Sequence, residues 1–547
     1  MKSFQKHLKT LLILVSSSSL ICQISAQNCN IILGRPTANS ISISAMTAPG
    51  YRYYIQYGLV SQQYTSSTDT FTQNSIYPTE IELTALLSNS LYYYTLYFWK
   101  IGSAKLNATP EYKFRTQRDT GESFTFTLEA DEHLYDKKGI RSLYQICLNN
   151  QAKDNPDFMM SLGDIFGDDH YPFTITPAEI DSLHRDYRPF IGSIAHSVPF
   201  YVCLGNHEGE MDYYLNYKPG DNLAHYGTLY RKLYYPNPYP NGFYSGNEQK
   251  ESFGIEHPEN YYAWTWGDAQ FIVLDVYRDQ CDTSAKPGGW AWTLGTPQYN
   301  WFKTVLESST SKYKFVFAHH ISGQGRGGIN QAKLYEWGGR DNRGNNVFAS
   351  KRPGWAKPIH QLMVDNGVNI YFQGHDHVFA REEMDGIIYQ ALPMPSDTTY
   401  EIGMLANADA YTKDTIGGSG HLRISVNPSC VTVDFIQAYL PKDTLVPNQK
   451  NGRNAFSYTL GNCQNASTKR NHNNKINLYP NPASDFITIQ LSNAQIAAET
   501  NIYDFTGKKL LHTKNANTMD ISRLSSGKYW IECLTTSECL RTILIKP

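Results

Sequence analysis

The sequence has almost no net charge and, after its first residues, no long hydrophobic run. Its 48 lysines and arginines nearly balance its 50 aspartates and glutamates, so the formal net charge is -2. A chain without an excess of positive charge attracts a polyphosphate backbone poorly, and we therefore do not expect nucleic acid as the main partner. No later stretch approaches the roughly 20 apolar residues of a membrane-spanning helix, so no transmembrane segment is expected.

Closely paired cysteines are also missing. The nine cysteines are scattered along the chain, without the spacing of a zinc finger. If the protein leaves the cytosol, Cys430 with Cys463, or Cys533 with Cys539, are candidate disulfide bonds. Cys203 lies in an apolar run and is expected to be a buried thiol.

The first 26 residues predict export. A basic stretch over residues 1–9 precedes an apolar core that begins at Leu11, and small residues follow as far as Ala26. This order is typical of a secretory signal peptide cleaved near Ala26, so we expect a secreted, soluble mature protein. An ordinary N-terminal helix is the alternative, but the serine-rich middle makes a poor helix face.

A chain of 547 residues is too long for one hydrophobic core, and its pattern changes along its length. Residues 28–118 alternate apolar and polar positions between Gly, Pro, Asn and Ser, which predicts a small β-sandwich. Residues 120–440 alternate strand-like and helical stretches, which predicts α/β layers. Residues 441–474 are rich in Asn and Lys and predict a linker, and residues 475–547 return to short strands and turns.

Five apolar runs within residues 120–440 each end in a polar cluster that suits a metal ion. The clusters are Asp131-Glu132-His133, Gly163-Asp164, Gly205-Asn206-His207-Glu208, Ala318-His319-His320 and Gly374-His375-Asp376-His377. The carboxyl ends of strands in α/β sheets open onto one functional crevice, so the five clusters can converge. Any one of them could be a turn or a structural histidine, but all five together favour a shared site.

The chemistry of phosphoryl groups explains these residue types. Two divalent cations about 4 Å apart neutralise the phosphoryl oxygens and generate a nucleophile at moderate pH. A bridging carboxylate offsets the repulsion between the cations, and neutral imidazoles and an amide complete the ligands. Mixed oxygen and nitrogen ligands suit Fe, Mn or Zn better than Ca or Mg. The pattern therefore predicts two metal ions and leaves their identities open.

The order of the five clusters resembles the calcineurin-like metallophosphoesterase superfamily across residues 120–440. The resemblance implies a four-layer α/β/β/α sandwich that hydrolyses phosphate esters by attack of a metal-activated hydroxide. It implies two metal sites, one with Asp131, His133, Asp164 and His377, and one with the bridging Asp164, Asn206, His319 and His375. It also makes Asp164, Asn206 and His207 the catalytic residues, with His207 protonating the leaving group or holding the phosphate.

A charged partner of His207, together with Arg326 and His320, is expected to support this site. His207 has either Glu208 or Asp168 as its charged partner, and the sequence leaves the choice open. Arg326 belongs to a glycine-rich loop and is expected to bind a phosphate oxygen, with a flexible surface loop as the alternative. His320 is a candidate either for substrate binding or for support behind the metal ligands.

Together with the leading sandwich, the catalytic segment resembles the purple acid phosphatases, with one departure. Residues 83–94 resemble the late strands of fibronectin type III-like domains, including those that precede the catalytic domain in that family. The family has a tyrosine three residues after the aspartate of its Gly-Asp motif, where this chain has Gly167. His133 supplies a ligand instead, so we predict no tyrosinate-to-iron colour.

The C-terminal segment resembles the type IX secretion sorting domain of Gram-negative bacteria. The resemblance rests on residues 478–483, 502–508 and 520–529 and on the basic end at Lys546. It implies export by the type IX secretion machinery to the medium or the outer cell surface, with the domain removed or replaced by an anchor. An ordinary small β-sandwich that binds carbohydrate or a partner is the alternative.

Three functions fit these features. Hydrolysis of a phosphomonoester is favoured, and a phosphodiesterase or nucleotide hydrolase on the same site is the first alternative, because the metal ligands do not distinguish ester classes. A surface binding protein with an inactive catalytic domain is the second alternative, which the complete ligand set disfavours. An insertion over residues 209–262, rich in Tyr, Asn, Pro and Gly, is expected to lie beside the metals and to shape substrate choice.

Overall fold

The chain divides into two compact units, up to residue 460 and from residue 461. The computed structural model describes residues 29–547 except for 137, 280–288, 322, 324, 403–405, 412–413, 464–475, 492–498, 505–507, 515–516 and 535–538. The predicted signal peptide over residues 1–26 lies outside the described residues. Within the described ranges, no helix is both long enough and apolar enough to cross a bilayer.

The N-terminal part of the first unit is a β-sandwich, as predicted. Its strands are β1 (Cys29–Gly34), β2 (Ile41–Thr47), β3 (Tyr51–Gly58), β4 (Ser66–Ser67), β5 (Phe71–Gln73), β6 (Thr79–Leu83), β7 (Leu91–Lys100), β8 (Asn107–Ala108) and β9 (Tyr112–Arg115). One sheet has the order β1-β2-β6, and the other has the order β4-β3-β7-β8, with β5 on β3 and β9 on β7. Alternate residues point inward, and Ile43, Ile81, Tyr94 and Leu96 share one core.

The larger part of the first unit alternates strands and helices. Its strands are β10 (Phe124–Glu129), β11 (Phe158–Ser161), β12 (Phe200–Val202), β13 (Ser245–Gly246), β14 (Tyr262–Trp266), β15 (Ala269–Val273), β16 (Tyr313–Phe317), β17 (Ile370–Gln373), β18 (Phe379–Met384), β19 (Ile387–Ala391), β20 (Thr415–Ile416), β21 (Ser419–Val426), β22 (Cys430–Ala438) and β23 (Asn454–Gly461). Its helices are α1 (Arg141–Asp154), α2 (Pro177–Ala195), α3 (Asp212–Leu215), α4 (Leu223–Tyr234), α5 (Gly295–Ser308), α6 (Ile329–Ala332), α7 (Tyr335–Gly338), α8 (Phe348–Lys351) and α9 (Ile359–Asp365), and a 3₁₀ turn spans Ala408–Ala410.

Two sheets pack face to face between two helical layers. The first has the order β12-β11-β10-β21-β22-β23, and the second has the order β13-β14-β15-β16-β17-β19-β18-β20. Their inner faces meet through aromatic rings: the Phe271 centroid lies 5.1 Å from that of Phe126 and 5.2 Å from that of Phe158. Tyr144 of α1 packs on the outer face of the first sheet, and Phe302 of α5 packs on that of the second. The predicted α/β/β/α sandwich is confirmed.

Within each sheet, the central parallel strands end at the same level. Strands β10, β11 and β12 are parallel, and their register aligns Glu129 with Ser161 and Ser161 with Val202. Strands β15, β16 and β17 are also parallel, and Phe317 is aligned with Phe372. Because parallel strands present their carboxyl ends at the same edge of a sheet, the loops that follow them come together there.

The predicted linker over residues 441–474 is wrong for residues 454–461. These residues form β23, which pairs at the edge of the first sheet. Phe456, Tyr458 and Leu460 alternate along the strand and pack against the central core, where the Phe456 ring lies 5.3 Å from that of Phe379. A strand at a sheet edge needs apolar side chains on one face only, so the low overall apolar content concealed it. Residues 464–474 lie outside the described residues.

The second unit is all β in its described part. Its strands are β24 (Ile476–Tyr479), β25 (Phe486–Leu491), β26 (Glu499–Tyr503), β27 (Lys509–Lys514), β28 (Thr518–Asp520), β29 (Gly527–Leu534) and β30 (Cys539–Lys546). One sheet has the order β24-β25-β28, and the other has the order β27-β26-β29-β30. Ile487, Ile502 and Ile531 form part of the core between them.

The cysteines agree with the sequence predictions only in part. Cys430 and Cys463 are both disulfide-bonded, and Cys203 is a buried thiol, as predicted. The second candidate bridge is not formed, because Cys533 is a reduced thiol with its Sγ 3.5 Å from Thr500 Oγ1.

Candidate metal centre

The backbone that carries the predicted metal ligands is strained. Asp131, His133, Asp164, His375 and His377 all have positive φ angles, between 46° and 68°. Non-glycine residues in this region cost about 1–3 kcal/mol each and persist only where the surrounding structure holds them. Here the carboxylate of Asp131 accepts the backbone N–H of His375, at 2.8 Å on Oδ2. The strain allows short loops to point several side chains toward one place.

One cluster consists of Asp131, His133 and His377, all of which are buried. The Oδ1 atom of Asp131 lies 3.4 Å from His377 Nε2 and 3.9 Å from His133 Nε2. The two Nε2 atoms lie 3.0 Å apart. A carboxylate oxygen and two imidazole nitrogens therefore surround one point.

A second cluster consists of Asp164, His319 and His375. His319 Nε2 lies 3.2 Å from Asp164 Oδ2 and 3.2 Å from His375 Nδ1. Asn206 is buried nearby, and among the described residues its Oδ1 atom has no hydrogen-bond partner. A buried amide oxygen without a donor costs free energy, so a cation in this place would stabilise it.

Asp164 joins the two clusters. Its Oδ2 atom lies 3.8 Å from His133 Nε2 in the first cluster and 3.2 Å from His319 Nε2 in the second. Its Oδ1 atom accepts a hydrogen bond of 2.8 Å from the backbone N–H of His207. The structure thus brings together all seven residues that the sequence predicted as metal ligands, with the Asp164 carboxylate between the two clusters.

The imidazole orientations show that this donor set fits metal ions. The Nδ1 atom of His319 donates to the carbonyl oxygen of Leu162 at 2.8 Å, and that of His133 lies 2.9 Å from Tyr135 Oη. With the proton of neutral His319 on Nδ1, its Nε2 atom directs a lone pair inward, and His133 does the same when its Nδ1 atom donates. His133 Nε2 and His377 Nε2 lie 3.0 Å apart, so a cation between them would let both rings present a lone pair without repulsion. Metal ions are therefore the natural occupants.

The electrostatics of the site lead to the same conclusion. Burial opposes ionisation of Asp164, but His319 and His207 outweigh it and hold the pKa of Asp164 well below its usual range. Burial lowers the pKa of His319, yet Asp164 and Asp131 raise it to about 9. Burial holds the pKa of His375 well below its usual range. A proton on His319 and a metal ion would compete for the same lone pair, so metal binding releases protons.

His207 pairs with a residue that the sequence analysis did not consider. Its Nδ1 atom lies 2.7 Å from Asp169 Oδ1, and its Nε2 atom lies 3.9 Å from Asp164 Oδ2. Burial opposes protonation, but Asp164 and Asp169 raise the pKa of His207 to about 10. Both predicted partners are wrong, because Asp168 binds His170 at 2.6 Å and Glu208 points into the protein. In an irregular loop, the sequence alone does not show whether Asp168 or Asp169 faces His207.

Glu208 instead connects two of the metal-ligand loops. Its buried carboxylate accepts hydrogen bonds from the backbone N–H groups of Asp164 (3.0 Å), Ile165 (2.6 Å) and Gly205 (2.6 Å). These bonds tie the loop of Asp164 to the loop of Asn206. Sequence reasoning missed this role, because hydrogen bonds to backbone N–H groups leave no residue-specific signal.

A cavity of about 220 Å³ opens over the two clusters. Its lining consists of His133, Lys138, Asp164, Asn206, His207, Arg326, His375 and His377. Arg326 also lies there, with Nη1 2.8 Å from the carbonyl oxygen of His375 and 3.5 Å from Asp376 Oδ1. Lys138 is an addition, because its position in a short loop gave no signal in the sequence.

Two predicted neighbours of the substrate do not line this cavity. His320 is fully buried behind His375, and its Nε2 atom lies 3.2 Å from the carbonyl oxygen of Gly327. This position, behind His375 and outside the cavity lining, favours support of the proposed ligands over substrate binding. Residues 209–262 contribute no described residue to the cavity lining, and Gly227 of this insertion packs behind Glu208.

Gly167 leaves no room for a tyrosine ligand. A Cβ atom at this position would lie 1.7 Å from the carbonyl oxygen of His207 and 2.3 Å from the Cα of Glu208. Both atoms belong to the backbone of a metal-ligand loop, which could not shift without moving Asn206. The departure from the purple acid phosphatase pattern therefore has a steric basis.

Comparison with known proteins identifies the domain. Residues 124–379 match the family model of the calcineurin-like phosphoesterases, and residues 477–546 match that of the secretion system C-terminal sorting domain. The chain therefore contains a calcineurin-like phosphoesterase domain and is a hydrolase of phosphate esters. No curated protein is similar enough in sequence to match it.

Two solved structures share the fold. PhoD has a TM-score of 0.54 and 15% identity, over 79% of this chain and 90% of PhoD. Purple acid phosphatase PPD1 from yellow lupin (Lupinus luteus) seeds has a TM-score of 0.52 and 15% identity, over 79% of this chain and 74% of PPD1. At this identity, the similarity shows the fold alone.

Proposed function

We propose that the protein is an exported phosphomonoesterase with two metal ions in its active site. One observation carries the proposal: two clusters of carboxylate and imidazole ligands share Asp164 beneath a small cavity that also contains two cationic side chains. Such a site suits a compact, doubly charged phosphoryl group. We also propose Asp131, His133, Asp164 and His377 as ligands of one metal, and Asp164, Asn206, His319 and His375 as ligands of the other.

The donor set favours Fe, Mn or Zn, because it mixes imidazole nitrogens with carboxylate and amide oxygens. When bound, a pair of such ions would neutralise phosphoryl oxygens and lower the pKa of water. The protein holds the donors in place through hydrogen bonds behind them, as from His319 to Leu162 and from Glu208 to the backbone.

The side chains around the metals bind the substrate and deliver a proton. Arg326 reaches the cavity from the side of His375 and can bind a phosphoryl oxygen. His207 carries a proton at Nε2, on the cavity side, while Asp169 orients its ring through Nδ1. Transfer of that proton to the ester oxygen assists departure of the alcohol. Asn206 and His207 together face the charge that develops on the phosphoryl oxygens.

The test combines metal analysis with variants. We expect about two equivalents of bound metal and hydrolysis of 4-nitrophenyl phosphate in preference to bis(4-nitrophenyl) phosphate, which separates the monoesterase from the diesterase. Asp164→Asn and His375→Ala should abolish turnover, and the exposed Asp69→Asn should leave it unchanged. Full activity in Asp164→Asn would overturn the site, and absence of turnover in the metal-loaded wild type would support a binding protein.

We propose further that the type IX secretion machinery exports the protein to the medium or the outer cell surface. The matched sorting domain over residues 477–546 supports this proposal, together with the predicted signal over residues 1–26. The proposed mature organisation is a sandwich over residues 28–118, a catalytic domain over 120–440 and a sorting domain over 475–547. Deletion of residues 477–547 should leave the enzyme inside the cell envelope, as measured by fractionation; unchanged export would refute this assignment.

A further inference from the structure

We propose that Lys138 is a specificity-determining residue that recognises the second negative charge of a phosphomonoester. The inference rests on the proposed function, because it assumes phosphate ester hydrolysis in the cavity above the two clusters. Lys138 lies in the loop between β10 and α1, five residues after His133, and its side chain lines that cavity.

Hydrogen bonds hold the described backbone on either side of Lys138. The N–H of Gly139 donates to the carbonyl oxygen of His133 at 3.0 Å, and the N–H of Lys138 donates to Asp136 Oδ1 at 3.0 Å. A Cβ atom at position 139 would lie 2.2 Å from the carbonyl oxygen of Glu132, so only glycine allows the backbone at this position to approach Glu132 so closely. The position of Lys138 is therefore fixed relative to the metal ligand His133.

The side chain of Lys138 is oriented and remains accessible. Its Nζ atom lies 2.7 Å from Asp136 Oδ2, and the side chain is 35% exposed. The Asp136 carboxylate is nearly buried and also lies 3.5 Å from His133 Nδ1. An ammonium group has three N–H donors, so an ion pair with one carboxylate leaves donors for an anion in the cavity.

Lys138 and Arg326 flank different metal clusters. Lys138 is held next to His133 of the first cluster, whereas Arg326 is held by the carbonyl oxygen of His375 in the second. A phosphomonoester above a pH of about 6 carries close to two negative charges, and a diester carries one. A second cation in a cavity of about 220 Å³ therefore stabilises the monoester more than the diester.

The test is Lys138→Met in the metal-loaded full-length protein. We expect kcat/KM for 4-nitrophenyl phosphate to fall about tenfold, chiefly through KM, and the inhibition constant of inorganic phosphate to rise about tenfold, as for loss of one charged hydrogen bond. For bis(4-nitrophenyl) phosphate, kcat/KM should change less than about twofold, because that ester lacks the second charge. Lys138→Arg, which keeps the charge, should restore most of the discrimination.

Two controls separate anion binding from damage to the metal site. Lys303→Met breaks an ion pair of similar exposure with Glu307 (2.6 Å) on α5, and should leave kcat/KM unchanged for both esters. The metal content of Lys138→Met, measured alongside, should equal that of the wild type, so that the loss of discrimination does not come from damage to the metal site. Equal losses on both esters, or no change in Lys138→Met, would overturn the inference. Lack of turnover on either ester in the wild type would instead overturn the proposed function.

Discussion

Replacing Glu208 by glutamine tests how the metal-ligand loops are held together. The Glu208 carboxylate accepts the N–H of Ile165 on Oε1 and the N–H groups of Asp164 and Gly205 on Oε2. It thereby fixes the distance between Asp164, which bridges the two clusters, and Asn206, which follows Gly205 directly. Glutamine has nearly the same shape, so the variant keeps the packing, replaces one acceptor oxygen by an NH₂ group and removes a charge that raises the pKa of His319 and of His207.

The expected loss follows from the hydrogen-bond inventory. Glutamine has one acceptor oxygen, and its amide nitrogen is a donor. If the oxygen replaces Oε2, two hydrogen bonds survive in weaker, uncharged form, and the N–H of Ile165 faces a second donor. A buried unsatisfied donor costs about 1–3 kcal/mol, and hydrogen bonds to charged groups contribute about 1.5–3 kcal/mol each. We therefore expect the free energy of unfolding to fall by about 3 kcal/mol.

The loops should also lose their alignment. We expect Glu208→Gln to bind less metal and to show a kcat about 100-fold lower, because misplacement by about 1 Å has effects of this size. Metal content, thermal unfolding and monoesterase activity are measured alongside Glu82→Gln, an exposed glutamate on β6. An unchanged unfolding midpoint together with unchanged metal content would refute the role of Glu208.

Three further predictions concern other parts of the fold. Burial lowers the pKa of His184 to about 3, whereas in the unfolded chain this histidine takes up a proton near pH 6.5. Acid therefore favours unfolding, and about 2 kcal/mol of stability is lost between pH 7.5 and 5. His184→Leu should reduce this acid dependence in thermal melts, and an unchanged dependence of the melting temperature on pH would contradict the prediction. Gly167→Ala should lower metal content and activity, because its Cβ would meet the carbonyl oxygen of His207 at 1.7 Å, and full activity would show that the loop can move. Arg188 is buried and donates to the carbonyl oxygen of Ser44 in the N-terminal sandwich at 2.7 Å. Arg188→Met should therefore weaken this contact and speed proteolysis of the N-terminal sandwich. An unchanged rate of cleavage would refute the importance of the contact.

The sequence predicted which side chains would come together, because each of the proposed ligands follows a buried parallel strand. Such strands read as apolar runs, and the residues after them must lie at one edge of the sheet. This reasoning located Asp131, Asp164, His319 and His375, which the structure places within two adjoining clusters, and Asn206, which lines the cavity above them. The layer architecture followed from the same alternation of strands and helices.

The residues around the ligands could not be predicted in the same way. Asp169 and Lys138 lie in irregular loops, where neighbouring residues of the same type differ only in backbone direction. His320 follows a strand as His319 does, but the alternation of side chains turns it away from the cavity. Strand β23 was missed because only one of its faces is apolar.

The sequence by itself determined which side chains can bind metals and in what order the strands present them, since residue type and strand periodicity are local properties. Only the tertiary structure decided that Asp169 pairs with His207, that Glu208 fastens two loops and that Lys138 reaches the cavity. These contacts depend on strained loop conformations and on hydrogen bonds to backbone atoms, which exist only once distant segments have packed together.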